Sequence, residues 1–206
     1  FINREPYPVI VVEPPQIDRI VLQCDYPDYT GLDALSDRER VVEGAQLALP
    51  AETSLSMRAE ANKPLVAVQL RSPHFDLEFT SPQHPSPHDA TLTIHPQHGT
   101  DAAATETTRR LLIPAGVSRR WFTEDGLSFQ IPMVLATQGL SELQSLTADF
   151  AALPVPPDTT LQIYLEDVDD VASTEPVLLT LTGIQDAAPT VETRRSGVGS
   201  SVTRMA

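Results

Sequence analysis

Four carboxylates stand together at Glu166, Asp167, Asp169 and Asp170, in the run YLEDVDD. A hard cation such as calcium needs several carboxylate and carbonyl oxygens converging in one loop, and this is the candidate metal site of the chain. The spacing is not that of an EF-hand. The competing reading is a solvated hairpin corner, because acidic residues also serve simply as turn formers.

Five histidines, His74, His84, His88, His95 and His98, gather in one short part of the chain. Imidazoles could hold zinc or nickel, but the proline-rich run SPQHPSPH cannot place His84 and His88 on one helical face. With Cys24 the only cysteine, no second thiolate completes a tetrahedral set, and these residues read as loop histidines. Nucleophilic catalysis needs a hydroxyl or thiol beside a base that a third group orients. No nucleophile elbow is visible. The run GVGSS at Gly197 to Ser201 lacks the strand-to-helix setting of a phosphate loop and reads as a turn. The expectation is therefore a protein that is not an enzyme and has no cofactor. Tyr26, Tyr29 and Trp121 could stack on a sugar ring. The alternative is that their rings pack and their hydroxyls bond to backbone; Tyr164, inside a strand, reads as core.

The elements that must position these residues are strands. From Thr159 to Ile184, Leu161, Ile163 and Leu165 alternate with polar neighbours, and Val177, Leu179 and Leu181 do so again beyond the acidic corner. That two-residue period belongs to a sheet buried on one face. The same alternation runs through Ile17 to Asp25, Leu55 to Ala61, Leu65 to Arg71, Phe75 to Phe79 and Leu127 to Met133, with short strands expected at Ala90 to Ile94 and Arg109 to Ile113. Ser36 to Leu49 carries weak signals. His95 to Thr107 reads as an exposed tip, and Leu140 to Leu153 is the one candidate helix. The 19 prolines in 206 residues exceed the usual share of about 5%, which suits many short strands and opposes long helices. Together these features predict an all-β fold, an antiparallel β-sandwich with at most one short helix. The expected divisions are residues 1–15 as the end of a preceding segment or linker, 16–185 as the sandwich, and 186–206 as a linker onward.

Twenty-eight acidic residues against 14 basic ones give a formal charge of −14. That sign repels a polyanion, so nucleic acid is not an expected partner. The sequence has no apolar run near the length of a membrane span, so direct membrane insertion by this segment is not expected either. Beginning at Phe1 without a signal-like stretch, the chain is expected to be a fragment or a processed piece. Cys24, in IVLQCDYP, reads as a small buried residue of a strand.

DYPDYTGL at Asp25 to Leu32, RAEANKPLVAVQL at Arg58 to Leu70, and YLEDVDDVASTEP with the tail GVGSSVTRMA together resemble large uncharacterised bacterial proteins of planctomycete type. In those proteins, membrane spans near the amino terminus precede immunoglobulin-like segments. A YPxYTG element opens each sandwich and an L-x-D-x-D-G corner closes it. Here Asp170 stands where that corner carries glycine, which implies a different backbone geometry. The resemblance implies an immunoglobulin-like sandwich here, a non-catalytic, extracytoplasmic spacer or protein-interaction module of a membrane-anchored protein, facing a protein partner or the neighbouring domains of its own chain. The alternative function is a carbohydrate- or calcium-binding module that uses the loops at one end of the sandwich.

Overall fold

The computed structural model describes residues 11–32, 38–82, 84, 89–96 and 108–184. The start of the expected leading segment, the 186–206 linker with its GVGSS run, His88, His98 and most of the expected tip lie outside the described residues.

Twelve strands are described, numbered in chain order: β1 (Ile17–Asp25), β2 (Glu39–Val41), β3 (Gln46–Pro50), β4 (Ser54–Ala61), β5 (Leu65–Arg71), β6 (Phe75–Thr80), β7 (Ala90–Ile94), β8 (Arg109–Ile113), β9 (Ser128–Leu135), β10 (Leu153–Val155), β11 (Thr159–Asp167) and β12 (Val177–Ile184). They form two packed sheets. One has five strands in the order β10-β9-β4-β1-β2, and the other seven in the order β3-β12-β11-β5-β6-β7-β8. Neighbours are antiparallel except β10 beside β9 and β3 beside β12.

The alternation in the sequence becomes the two faces of each sheet. Along β4, Leu55, Met57, Ala59 and Ala61 are buried while Ser54 and Arg58 are exposed; along β11, Leu161, Ile163 and Leu165 are buried and Gln162 is exposed. These inward residues of both sheets belong to one core cluster. Aromatic rings join the sheets. Phe79 of β6 lies 5.2 Å from Trp121 in an edge-to-face contact, 5.2 Å from Phe122, and 5.8 Å from Phe129 of β9. Such offset geometries suit the ring quadrupoles and add to what burial alone contributes.

The weakly patterned stretch Ser36 to Leu49 holds two strands, β2 and β3, one in each sheet. Helix departs from expectation in two ways. Two short α-helices are described rather than one at most: α1 (Ala115–Ser118), which follows Pro114, and α2 (Gly139–Ser145). The second is half the expected length, because Leu146 already has extended geometry at φ −59° and ψ 141°. Beyond it, Thr147 bonds Asp149 through its hydroxyl and receives the N–H of Phe150 at its carbonyl, forming a turn. Leu153 then precedes Pro154, which disfavours helical backbone, and it starts β10 instead. The start of α2 lies against the end of β10 so closely that a Cβ on Gly139 would stand 2.8 Å from the nitrogen of Pro156. Only glycine fits there.

Candidate functional site

The acidic corner is built by the end of β11. Side chains alternate faces along a strand, so Glu166 and Asp167 point apart: Glu166 is half-buried and Asp167 is fully buried. Asp167 Oδ1 accepts the backbone N–H groups of Asp169 at 2.9 Å and Val171 at 3.0 Å. Its Oδ2 lies 3.4 Å from Lys63 Nζ in the turn between β4 and β5. Lys63 also donates to the carbonyl of Glu13, tying the segment before β1 to the same corner.

The backbone closes on itself around that carboxylate. Asp170 N–H donates to the Asp167 carbonyl at 3.2 Å, and Asp167 N–H donates to the Val171 carbonyl at 3.0 Å. Asp170 has φ 58°. This is the three-residue hairpin loop of a tight turn followed by a left-handed residue. The altered geometry expected from the missing glycine is therefore not found. Asp170 occupies the left-handed region that glycine favours, and aspartate is one of the few other residues that tolerates it. Asp169 and Asp170 face solvent. Asp167 is thus turned inward, away from the exposed Asp169 and Asp170, and among the described residues no group of three or more His, Cys, Asp or Glu is placed to hold a metal ion.

Of the histidines, His74 and His95 are brought together. His95 N–H donates to the His74 carbonyl at 2.9 Å, and His95 Nε2 lies 3.3 Å from Asp76 Oδ2. Burial, and then the neighbouring His95, hold the His74 imidazole below its ordinary pKa. His84 is half-buried, with its N–H on the Ser81 carbonyl.

The aromatic platform is not assembled as one surface. Tyr26 is buried and its hydroxyl accepts Arg40 Nε at 3.2 Å; Trp121 is buried against Phe79. Tyr29 alone is exposed, with its hydroxyl fixed on the Ala51 carbonyl at 3.0 Å. Cys24 is buried as expected, and burial raises its thiol pKa. Tyr164 is not a core residue. It is half-buried on the outer face of the seven-stranded sheet, where the Arg71 guanidinium stands 4.8 Å from its ring centroid. An even-numbered position in a strand whose odd positions are buried can point only outward.

The sequence reading missed the outer face of the five-stranded sheet. There Arg19, Gln23, Arg58, Glu60 and Gln130 line a concavity of about 380 Å³. A second concavity of about 690 Å³, lined by Trp121, Phe150, Pro132, Arg120 and Asp149, adjoins it and shares Ser56 and Gln130. Gln130 Nε2 donates to Ser56 Oγ at 2.7 Å, while Arg58 stands 3.3 Å from Glu60 and Arg19 3.6 Å from Glu39. The Thr147 hydroxyl holds the Asp149 carboxyl below its ordinary pKa, so it stays an acceptor. Every strand of a sandwich has polar outward positions, and it is the pairing of β1, β4 and β9 side by side that brings these together.

No family model, no curated protein and no solved structure matches this chain. No helix among the described residues is long and apolar enough to cross a membrane.

Proposed function

We propose that the chain is a non-catalytic, immunoglobulin-like β-sandwich serving as a spacer or protein-interaction module of a larger, membrane-anchored bacterial protein on the extracytoplasmic side. The observation that carries the reading is the strand order. β1-β4-β9 match strands A, B and E of such a domain, and β12-β11-β5-β6-β7 match G, F, C, C′ and C″. The chain also changes sheets between β2 and β3, so that an early strand runs parallel to the last one. Two features are its own: β10, parallel to β9, stands where an antiparallel D strand would be, and β8 extends the seven-stranded sheet.

The non-catalytic part of the reading is supported by how the reactive groups are used. Asp167 is committed to two backbone donors and a lysine, and Cys24 is a buried thiol whose pKa is raised. The membrane-anchored and extracytoplasmic part rests on the sequence resemblance alone.

Two measurements test the proposal. Nuclear Overhauser contacts between β3 and β12 are expected in parallel register, with Leu47 opposite Leu181. Panels of ester, glycoside, peptide and phosphate substrates are expected to remain uncleaved. Turnover that disappears when a groove residue is replaced sinks the non-catalytic reading.

A further inference from the structure

The two concavities on the five-stranded sheet meet at Ser56 and Gln130 and form one groove across β1, β4 and β9. We infer that this groove binds a neutral oligosaccharide, with sugar rings against Phe150 and Pro132 at one end and hydroxyls on Arg58, Glu60 and Gln130 at the other. This goes beyond the proposed spacer or protein-interaction role by adding a ligand that the module would bind without cleaving.

The floor of the groove offers side chains only. β4, in the middle, is paired with β1 on one side and β9 on the other along its length, so its backbone donors and acceptors are occupied by the ladders; the outer neighbours of β1 and β9 pair at Val21–Gln23 and Met133–Leu135. A peptide recognised by strand addition needs an open edge, and the middle of this surface has none. Recognition must come from planar polar groups. Guanidinium, amide and carboxylate each present a pair of donors or acceptors, a spacing that suits adjacent hydroxyls.

Donors and acceptors are interleaved rather than segregated. Arg58 neighbours Glu60, Arg19 neighbours Glu39, and Gln130 is bonded to Ser56. The Arg58 and Glu60 side chains are 53% and 38% exposed, so their pairing is weak and can open around a hydroxyl. The lining sets Arg19, Arg38, Arg58 and Arg120 beside Glu39, Glu60 and Asp149, so both signs are present and neither dominates, in a chain whose formal charge is −14. Mixed donors and acceptors suit hydroxyl groups, which both donate and accept, and the charge of the whole chain disfavours a polyanion.

The other end of the groove has an apolar wall beside Arg120 and Asp149. The Trp121 and Phe150 rings lie 6.3 Å apart at 39°, and Pro132 adds to the same wall. A pyranose has an apolar C–H face and a hydroxyl rim, and this surface changes from one character to the other along its length. The groove extends over three neighbouring strands, each separated by about 4.8 Å, so it suits a chain of several sugars better than one.

The test is affinity electrophoresis of the purified protein in gels holding soluble β-glucan, xylan, galactomannan or polygalacturonate, followed by calorimetry with oligosaccharides of any polymer that retards it. Retardation by at least one neutral polysaccharide, unchanged by raised salt, is expected. Arg58→Ala, Gln130→Ala and Phe150→Ala should each weaken binding about tenfold, the loss of one charge-assisted hydrogen bond or ring contact. Thr182→Ala, on the outer face of the other sheet, should leave it unchanged. Melting temperatures of all four variants confirm folding, and since Arg58 and Gln130 are exposed, those two should retain the parent value. The inference is overturned if no neutral polysaccharide retards the protein, if only polygalacturonate does so and salt abolishes it, or if Arg58→Ala and Gln130→Ala bind as the parent does. Assay of reducing ends in the same samples separates the two readings: their release would remove the non-catalytic assignment and leave the groove standing.

Discussion

Lys63 and Asp167 meet at 3.4 Å where the turn between β4 and β5 passes the end of β11. The aspartate side chain is fully buried and the lysine 23% exposed, so the two sides of this pair are not equivalent. Asp167→Ala removes the ion-pair partner and the acceptor of two backbone N–H groups, and should destabilise the protein by about 3 kcal/mol. Lys63→Met leaves a buried carboxylate that still has its two backbone donors, and should cost about 1–2 kcal/mol. Urea denaturation of both variants and of the double variant gives the coupling. Equal losses from the two single variants would show that the backbone bonds to Asp167 contribute little.

Asp170 holds φ 58°, a conformation that costs side-chain-bearing residues about 1–2 kcal/mol. Aspartate bears it better than most. Asp170→Gly should therefore be neutral or raise stability by up to about 1 kcal/mol, whereas Asp170→Val should lower it by about 1–3 kcal/mol. Thermal unfolding of the two variants decides this, and a stable valine variant would mean that the turn relaxes.

Calcium should leave the melting temperature unchanged. Asp167 is turned inward onto Lys63, and Glu166 points to the opposite face, which leaves Asp169 and Asp170 as exposed carboxylates. A ligand that binds only the folded state raises the melting temperature as its concentration passes the dissociation constant. A calcium-dependent rise that Asp169→Asn abolishes would restore the acidic corner as a metal site.

His74 sets a pH dependence whose sign follows from its lowered pKa. The unfolded imidazole takes up a proton near the ordinary value of 6.5, while in the fold burial and His95 hold it neutral to lower pH. Its contribution to stability is present above that value. It declines as pH falls from there to the folded pKa, then levels. His95, the neighbour that helps to keep His74 neutral, has its Nε2 3.3 Å from the Asp76 carboxylate. His74→Asn should flatten the slope of the urea midpoint against pH in the window just below 6.5, and an unaltered slope would assign it elsewhere.

Phe79 touches Trp121, Phe122 and Phe129 and is fully buried. Phe79→Ala should cost about 3–5 kcal/mol and leave a cavity between the sheets. The near-ultraviolet circular dichroism of Trp121 should fall with it. A variant that loses stability but keeps that signal would place the tryptophan's order on its contact with Phe150 instead.

The strands were legible wherever one face of a segment is apolar. Leu55, Met57, Ala59 and Ala61 announce β4, and Leu161, Ile163 and Leu165 announce β11, because burial on one face imposes a two-residue period. β2 and β3 were blurred for the opposite reason. All three residues of β2 are exposed, so it carries no period, and β3 shows its alternation only through Leu47 and Leu49, too short a stretch to stand out. The buried state of Asp167 was not legible: a carboxylate inside a cluster of carboxylates gives no sign of which one turns inward, and its partner Lys63 lies 104 residues away. The groove was hidden for a related reason. Arg58, Gln130 and Phe150 come from separate parts of the chain, and each looks ordinary in its own segment.

The parallel pairing of β3 with β12 also bears on how the chain acquires its fold. Gln46 Nε2 donates to Thr182 Oγ1 across 136 residues, and the edge of the seven-stranded sheet is complete only once this pair has formed. Contacts of such long range are paid for in loop entropy before they return anything, so folding should be slow and gated by the last strand made. Until β12 arrives, β11 presents an open edge whose inward residues are Leu161, Ile163 and Leu165, a template for pairing with other copies. A nascent chain stalled short of Val177 should thus aggregate more readily than the completed fold.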